Sequence, residues 1–206
     1  RAQGVDVAAD RYPYLACSTG LRALFSLWLM DGGPERAVAR LRDPACRGRL
    51  RKEQSTEFGG EMLWESVMIA SVKSEASRHW IGHPIAGIAR MRGQDPLDAA
   101  LDLLAEEQTH VGVVVFAMSE ENLRRIVNWP FVVVASDSSA RDAAGERGKS
   151  LPHPRAFGTF SRTLAVLVRR DKALTLPAAI AKMTSQPAER ARLRGRGRLV
   201  EGAFAD

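Results

Sequence analysis

Phe131-Val-Val-Val-Ala-Ser136 runs into Asp137-Ser138-Ser139, and this stretch decides the fold class. Continuous β-branched runs of this length suit strands covered on both faces, as in a parallel sheet. Val111-Gly-Val-Val-Val-Phe116 has the same character, Val5-Asp-Val-Ala-Ala9 leads into Asp10-Arg-Tyr-Pro-Tyr14, and Ser66-Val-Met-Ile-Ala-Ser71 is a weaker fourth candidate. Helices with clear start signals fall between these runs. Asp95-Pro96 is an N-cap followed by proline at the first helical position, with Leu97, Ala100, Leu101 and Leu104 on one face. Ser119 caps a second helix with a Leu123, Ile126, Val127 stripe, and Thr175 a third with Ala179, Ile180 and Met183 turned inward. Strand and helix alternate as in a parallel α/β fold.

The stretch from 18 to 66 interrupts this rhythm. It is arginine-rich and helical in flavour, with turns at Asp31-Gly-Gly-Pro34 and Phe58-Gly-Gly60, and reads as an inserted excursion or lid. The 206 residues are 45% hydrophobic and 26% charged, ordinary for a globular chain and contrary to intrinsic disorder. Two cysteines, Cys17 and Cys46, exclude a disulfide framework and a four-thiolate zinc site. No apolar run reaches the roughly eighteen residues of a membrane span, and a cytoplasmic location is expected. The formal charge of +6 concentrates at Arg190 to Arg198, but aromatic residues are only 6% of the chain, so base-stacking platforms are scarce and nucleic acid is not the expected partner.

In parallel α/β sheets functional groups gather where strands end. Asp10, Tyr12 and Tyr14 follow one strand, and Asp137 emerges from the apolar run 131–136. A carboxylate there needs a proton, a metal or a partner to offset its desolvation, although a turn-initiating or helix-capping aspartate has the same pattern. Downstream of the Gly- and charge-rich segment 140–150, Leu151-Pro-His-Pro-Arg-Ala-Phe-Gly-Thr-Phe160 forms a proline-stiffened knuckle that presents His153 and Arg155. Arg155 suits bidentate capture of a carboxylate, and an ordinary surface ion pair accounts for it equally. His79 and His83 lie four apart, but Gly82 and Pro84 break the helix a metal pair would need. His110, just ahead of a strand, has a structural character, and neither cysteine has a histidine partner for nucleophilic chemistry.

Four phrases in order, Asp10-Arg-Tyr-Pro-Tyr14 with Cys17-Ser-Thr19, Ser136-Asp137, His153-Pro-Arg-Ala-Phe-Gly-Thr-Phe160, and Lys182-Met-Thr-Ser-Gln-Pro-Ala188 running to Glu201–Asp206, resemble the N-acyl-D-amino-acid deacylases (D-aminoacylases) of the metal-dependent amidohydrolase superfamily. The resemblance covers essentially the whole chain. It implies the C-terminal part of a (β/α)8 barrel, about strands six to eight, with 18–66 inserted and 199–206 starting the return to a β-sandwich. It also implies hydrolysis of the amide of an N-acyl-D-amino acid. Asp137 then moves the proton and adds a weak metal contact, Arg155 holds the substrate carboxylate, and Tyr14 and His153 line or support the pocket. Zinc is the implied cofactor, its other ligands lying upstream of Arg1, so little activity is expected of this chain alone. A dihydroorotase- or hydantoinase-like cyclic amide hydrolase is the alternative within the superfamily. A non-catalytic barrel piece acting in self-association is the alternative outside it, and a homo-oligomer is a further expectation because unpaired strand edges promote association.

Overall fold

The computed structural model describes residues 4–57, 64–140 and 153–204. The expected turn at Phe58-Gly-Gly60, most of the segment 140–150 and the final Ala205-Asp206 lie outside the described residues. The chain divides into two compact units, one of Ala16–Ala117 and one of Arg1–Leu15 with Met118–Asp206. Residues 18–66 fall inside the former.

In the unit built from both chain segments, β1 (Ala9–Arg11) and β5 (Val132–Val134) pair in parallel, Ala9 opposite Val132 and Arg11 opposite Val134. The first strand therefore sits later than the expected 5–9 run, in the more polar Ala-Asp-Arg segment. The ladder, not the hydropathy, selects it. Val132 and Val134 are buried while Val133 is half-buried, as a strand with helices on one side requires. Helix α5 (Glu120–Val127) is capped by the Ser119 hydroxyl, which accepts from the Asn122 amide. Glu120 and Glu121 in its first turn and Arg124 and Arg125 in its last complement the helix dipole. Helix α6 (Arg155–Arg162) continues into a π-helical segment, Thr163–Arg170. Helix α7 (Leu176–Met183) is capped by Thr175 and α8 (Ser185–Arg190) follows it. The core gathers Leu123, Val127, Leu167, Leu174 and Ala179.

Ile180, expected inward, is 43% exposed. The inward position of α7 goes instead to Lys182, whose ammonium donates to the carbonyls of Trp129 and Val132 at 2.7 and 2.6 Å. Lys182 thus ties α7 to the entry of β5, and its burial depresses its pKa.

The Ala16–Ala117 unit corrects a topological expectation. The apolar run at 111–116 forms β4 (Gly112–Val115) but pairs antiparallel with β2 (Cys17–Gly20) and β3 (Val67–Ser71), in a three-stranded sheet of order β2-β4-β3. A short apolar run carries no directional information, so composition cannot distinguish a parallel from an antiparallel central strand. Around this sheet pack α1 (Pro34–Arg42), α2 (Pro44–Glu57), α3 (Ile85–Arg92) and α4 (Pro96–Glu106). Asp95 caps α4 by accepting from the amides of Leu97 and Asp98, and Leu97, Ala100, Leu101 and Leu104 are all buried, as the periodicity predicts. Arg47 pairs with Asp98 and Asp102, and Arg51 with Asp95 and Asp98, fastening α2 along α4.

Glu107 closes this helix from below. It is buried, and its carboxylate accepts from the amides of Lys73 and Ser74 and from the Ser74 hydroxyl. Burial alone would raise its pKa. The hydrogen bonds from Ser74 and Ser77 and from the Lys73 backbone outweigh that effect and hold the carboxyl below its ordinary range.

Candidate active site

The parallel register sets the position of the candidate site. β1 and β5 end side by side, and the Ala135 amide donates to the Arg11 carbonyl at 3.3 Å, so the segments leaving both strands start from the same edge. Tyr12 and Tyr14 follow β1 and Asp137 follows β5. Asp137 has φ 48°, in the left-handed region that aspartate tolerates better than most residues. That sharp turn lifts its carboxylate off the strand direction, and the side chain is 61% exposed.

Helix α6 supplies the opposite wall. An Arg155 Nη2 donates to Asp137 Oδ2 at 3.0 Å, while the guanidinium carbon lies 4.8 Å above the Tyr12 ring. Arg155 is only 11% exposed, so its planar cation is sandwiched between a carboxylate and an aromatic face. Its Nη1 is buried and has no hydrogen-bond partner among the described residues. The Arg155 amide donates to His153 Nδ1 at 3.0 Å, which leaves Nε2 to carry the proton of a neutral ring. His153 in turn packs edge-on against Tyr14 at 5.2 Å between centroids. The Tyr14 hydroxyl donates to the Pro154 carbonyl at 3.3 Å. Desolvation raises the Tyr14 pKa, with Arg162 opposing it. The four residues singled out from the sequence, Tyr14, Asp137, His153 and Arg155, therefore converge in one cluster.

Three further residues support this cluster: Tyr12 is among the strand-end candidates of the sequence, while the parts played by Arg162 and Gly158 are not evident from motif reading. Tyr12 is the platform for Arg155, and Arg11 also stacks on it at 4.6 Å. Arg162 donates to the Pro13 carbonyl at 2.7 Å and lies 4.8 Å over the Tyr14 ring. A signal for it exists in the sequence: Arg155, Thr159 and Arg162 are spaced four and three apart and share a helix face. Gly158 is the third. A side chain on it would collide with the Tyr14 hydroxyl, so glycine here serves close approach of helix and tyrosine, not backbone freedom. Beneath this face Thr159 donates to the Arg155 carbonyl and Thr163 to the Thr159 carbonyl, both hydroxyls buried. Such back-bonding to the preceding turn satisfies the hydroxyls without a partner element.

A metal site is not assembled by these residues. Among the described residues no group of three or more His, Cys, Asp or Glu gathers, and Asp137 is the one carboxylate in the cluster. His79 packs tilted against Trp80 with ring centroids 4.1 Å apart, and His83 meets the same Trp80 ring edge-on.

No family model matches the chain. Among curated proteins, an N-acyl-D-glutamate deacylase of Alcaligenes xylosoxydans xylosoxydans is 36% identical over 209 residues, covering 100% of this chain and 32% of the relative. An N-acyl-D-aspartate deacylase of the same organism is 37% identical over 46% of this chain and 18% of its own length. In structure, the chain superposes along its whole length on 33% of N-acyl-D-glutamate deacylase from Bordetella bronchiseptica, solved with zinc and a phosphonate mimic of the tetrahedral intermediate, with a TM-score of 0.67 and 30% identity. A D-aminoacylase with a binuclear metal centre gives a TM-score of 0.68 at 25% identity. The chain spans about a third of the length of these relatives. By sequence and by structure, the chain resembles N-acyl-D-amino-acid deacylases (D-aminoacylases) along its whole length, matching about a third of the length of each.

Proposed function

We propose that this chain carries the proton-transfer and carboxylate-binding part of an amidohydrolase that cleaves N-acyl-D-amino acids to a D-amino acid and a carboxylate. The observation that carries this is Arg155, buried on Tyr12, with one guanidinium nitrogen on Asp137 and the other without a partner among the described residues. An unpaired, desolvated guanidinium donor beside an exposed carboxylate suits a substrate that brings its own carboxylate next to a bond to be hydrolysed. Arg155 Nη1 takes the substrate α-carboxylate while Nη2 orients Asp137. Asp137 accepts the proton as a water oxygen joins the acyl carbon, then returns it to the nitrogen as the C–N bond breaks. Tyr12 and His153 hold Arg155 from its face and from its backbone, so the cation is ordered before substrate arrives. A single carboxylate does not make a zinc site, so no step is assigned to a metal here; a zinc ion would need its donors from outside the described residues.

The test uses the longest form of the protein, loaded with zinc, and follows amine release from N-acetyl-D- and N-acetyl-L-amino acids, glutamate and aspartate included. Release from D substrates alone is expected. Asp137→Asn should lower kcat by at least about a hundredfold, and Arg155→Met should mainly raise KM. Full activity in Asp137→Asn would overturn the assignment.

A further inference from the structure

A cavity lies wholly within the Ala16–Ala117 unit and shares no residue with the cluster around Arg155. It has a volume of about 500 Å³ and opens where β2 and β4 meet, at the Gly20–Gly112 pair. Its lining includes Arg22, Lys73, His110 and Thr109, and no carboxylate. Arg22, Lys73 and His110 are exposed, and no described carboxylate pairs with Arg22. Glu107, next to Lys73, is already committed to the amides of Lys73 and Ser74 and to the Ser74 hydroxyl. Lys73 is held by the Gln108 side chain at 2.8 Å, and His110 Nδ1 by the Gln108 carbonyl at 2.8 Å, which leaves Nε2 unused. Gln108 and Thr109 sit in left-handed backbone, φ 50° and 69°. Two consecutive side-chain-bearing residues in that region cost free energy that a simple turn avoids by using glycine. Thr109 is 3% exposed, and its hydroxyl has no hydrogen-bond partner among the described residues. Three cationic or proton-bearing groups thus face one cavity beside an unsatisfied hydroxyl, without an acid to neutralise them.

We propose that this cavity is an oxyanion site, taking a phosphate or carboxylate group between Arg22, Lys73 and His110. Arg22 supplies a planar fork, Lys73 a point charge, and His110 Nε2 a third donor once protonated. A site of this kind is suited to a small anionic metabolite acting apart from the hydrolytic cluster, and its test needs no deacylase activity.

The chain is titrated with inorganic phosphate, and separately with acetate, at fixed pH and ionic strength, with the His110 ring resonances followed by NMR. A saturable shift of His110, absent from His79 and His83, is expected. It should weaken about tenfold or more in Arg22→Gln and in Lys73→Gln, because each removes a charge-assisted hydrogen bond. Saturation by phosphate alone identifies phosphate as the source, and saturation by both extends the site to carboxylates; either supports the proposal. A shift that tracks sodium chloride without saturating, or that persists unchanged in both variants, overturns it. Both substituted side chains are exposed, and an unchanged amide spectrum verifies the fold of each variant.

Discussion

Gly158 and Tyr14 show how closely single residues are fitted around Arg155. Alanine at a helix interior normally gains up to about 1 kcal/mol over glycine. At 158 the added carbon meets the Tyr14 hydroxyl, which Pro154 and His153 hold from two sides. Gly158→Ala is therefore expected to lower stability by about 1–2 kcal/mol in urea unfolding. Adding Tyr14→Phe removes the colliding oxygen, and the double variant should recover most of the loss; additive losses would show that the collision is not the cause. Lys182 poses a similar question of fit. Lys182→Met leaves the Trp129 and Val132 carbonyls without their shared donor, and a loss of about 2 kcal/mol is expected by the same measurement. At this scale the sequence was legible where a motif placed polar groups beside strand ends, as with Asp137, Tyr14, His153 and Arg155. It was not legible for Lys182, because a lysine in a helix reads as exposed unless the carbonyls it reaches are known, and those lie 50 and 53 residues away in sequence.

The helices illustrate which element signals are local. Asp95, Ser119 and Thr175 each accept from the amide two or three residues on, the N-caps the sequence predicts. Ser119→Ala should cost about 1 kcal/mol, measured as a shift in the urea midpoint with an unchanged slope. Glu107 at the end of α4 gives a pH signature. Its folded pKa lies below the unfolded value, so its contribution is complete above the ordinary glutamate range and is lost as pH falls through the folded pKa. Glu107→Gln should therefore reduce stability at neutral pH and flatten the decline on the acid side, as followed by thermal unfolding from neutral pH down to about pH 3. An acid limb identical to that of the unsubstituted chain would show that Glu107 is not responsible for it.

For the whole molecule, the two units have separate hydrophobic cores, around Leu101 and Val113 in one and Leu123 and Leu167 in the other. The parallel sheet has two strands among the described residues, β1 and β5, each with one unpaired edge. Phe157 and Phe160 on α6 are 51% and 50% exposed. Such edges and faces favour pairing with another chain. We therefore expect the chain to self-associate, with a sedimentation mass that rises with concentration; a monomer across the range would refute this. The arginine-rich 190–198 segment is partly engaged within its own unit, Arg190 with Asp6 and Arg196 over the Phe204 ring at 4.3 Å, which accounts for part of the basic charge without a polyanion partner.

By itself the sequence determined the helix starts, the buried face of α4, the apolar strand at 131–136 and the identity of the polar residues that surround Arg155. Each of these depends on neighbours within a turn or two, or on a motif whose chemistry is carried by its own side chains. Only the tertiary structure decided that β4 runs antiparallel in a sheet of its own, that β1 starts at Ala9, and that Tyr12, Arg162 and Gly158 complete the setting of Arg155. Strand direction and pairing are long-range choices made by hydrogen bonds between segments 41 to 123 residues apart, and no local pattern of apolar residues encodes them.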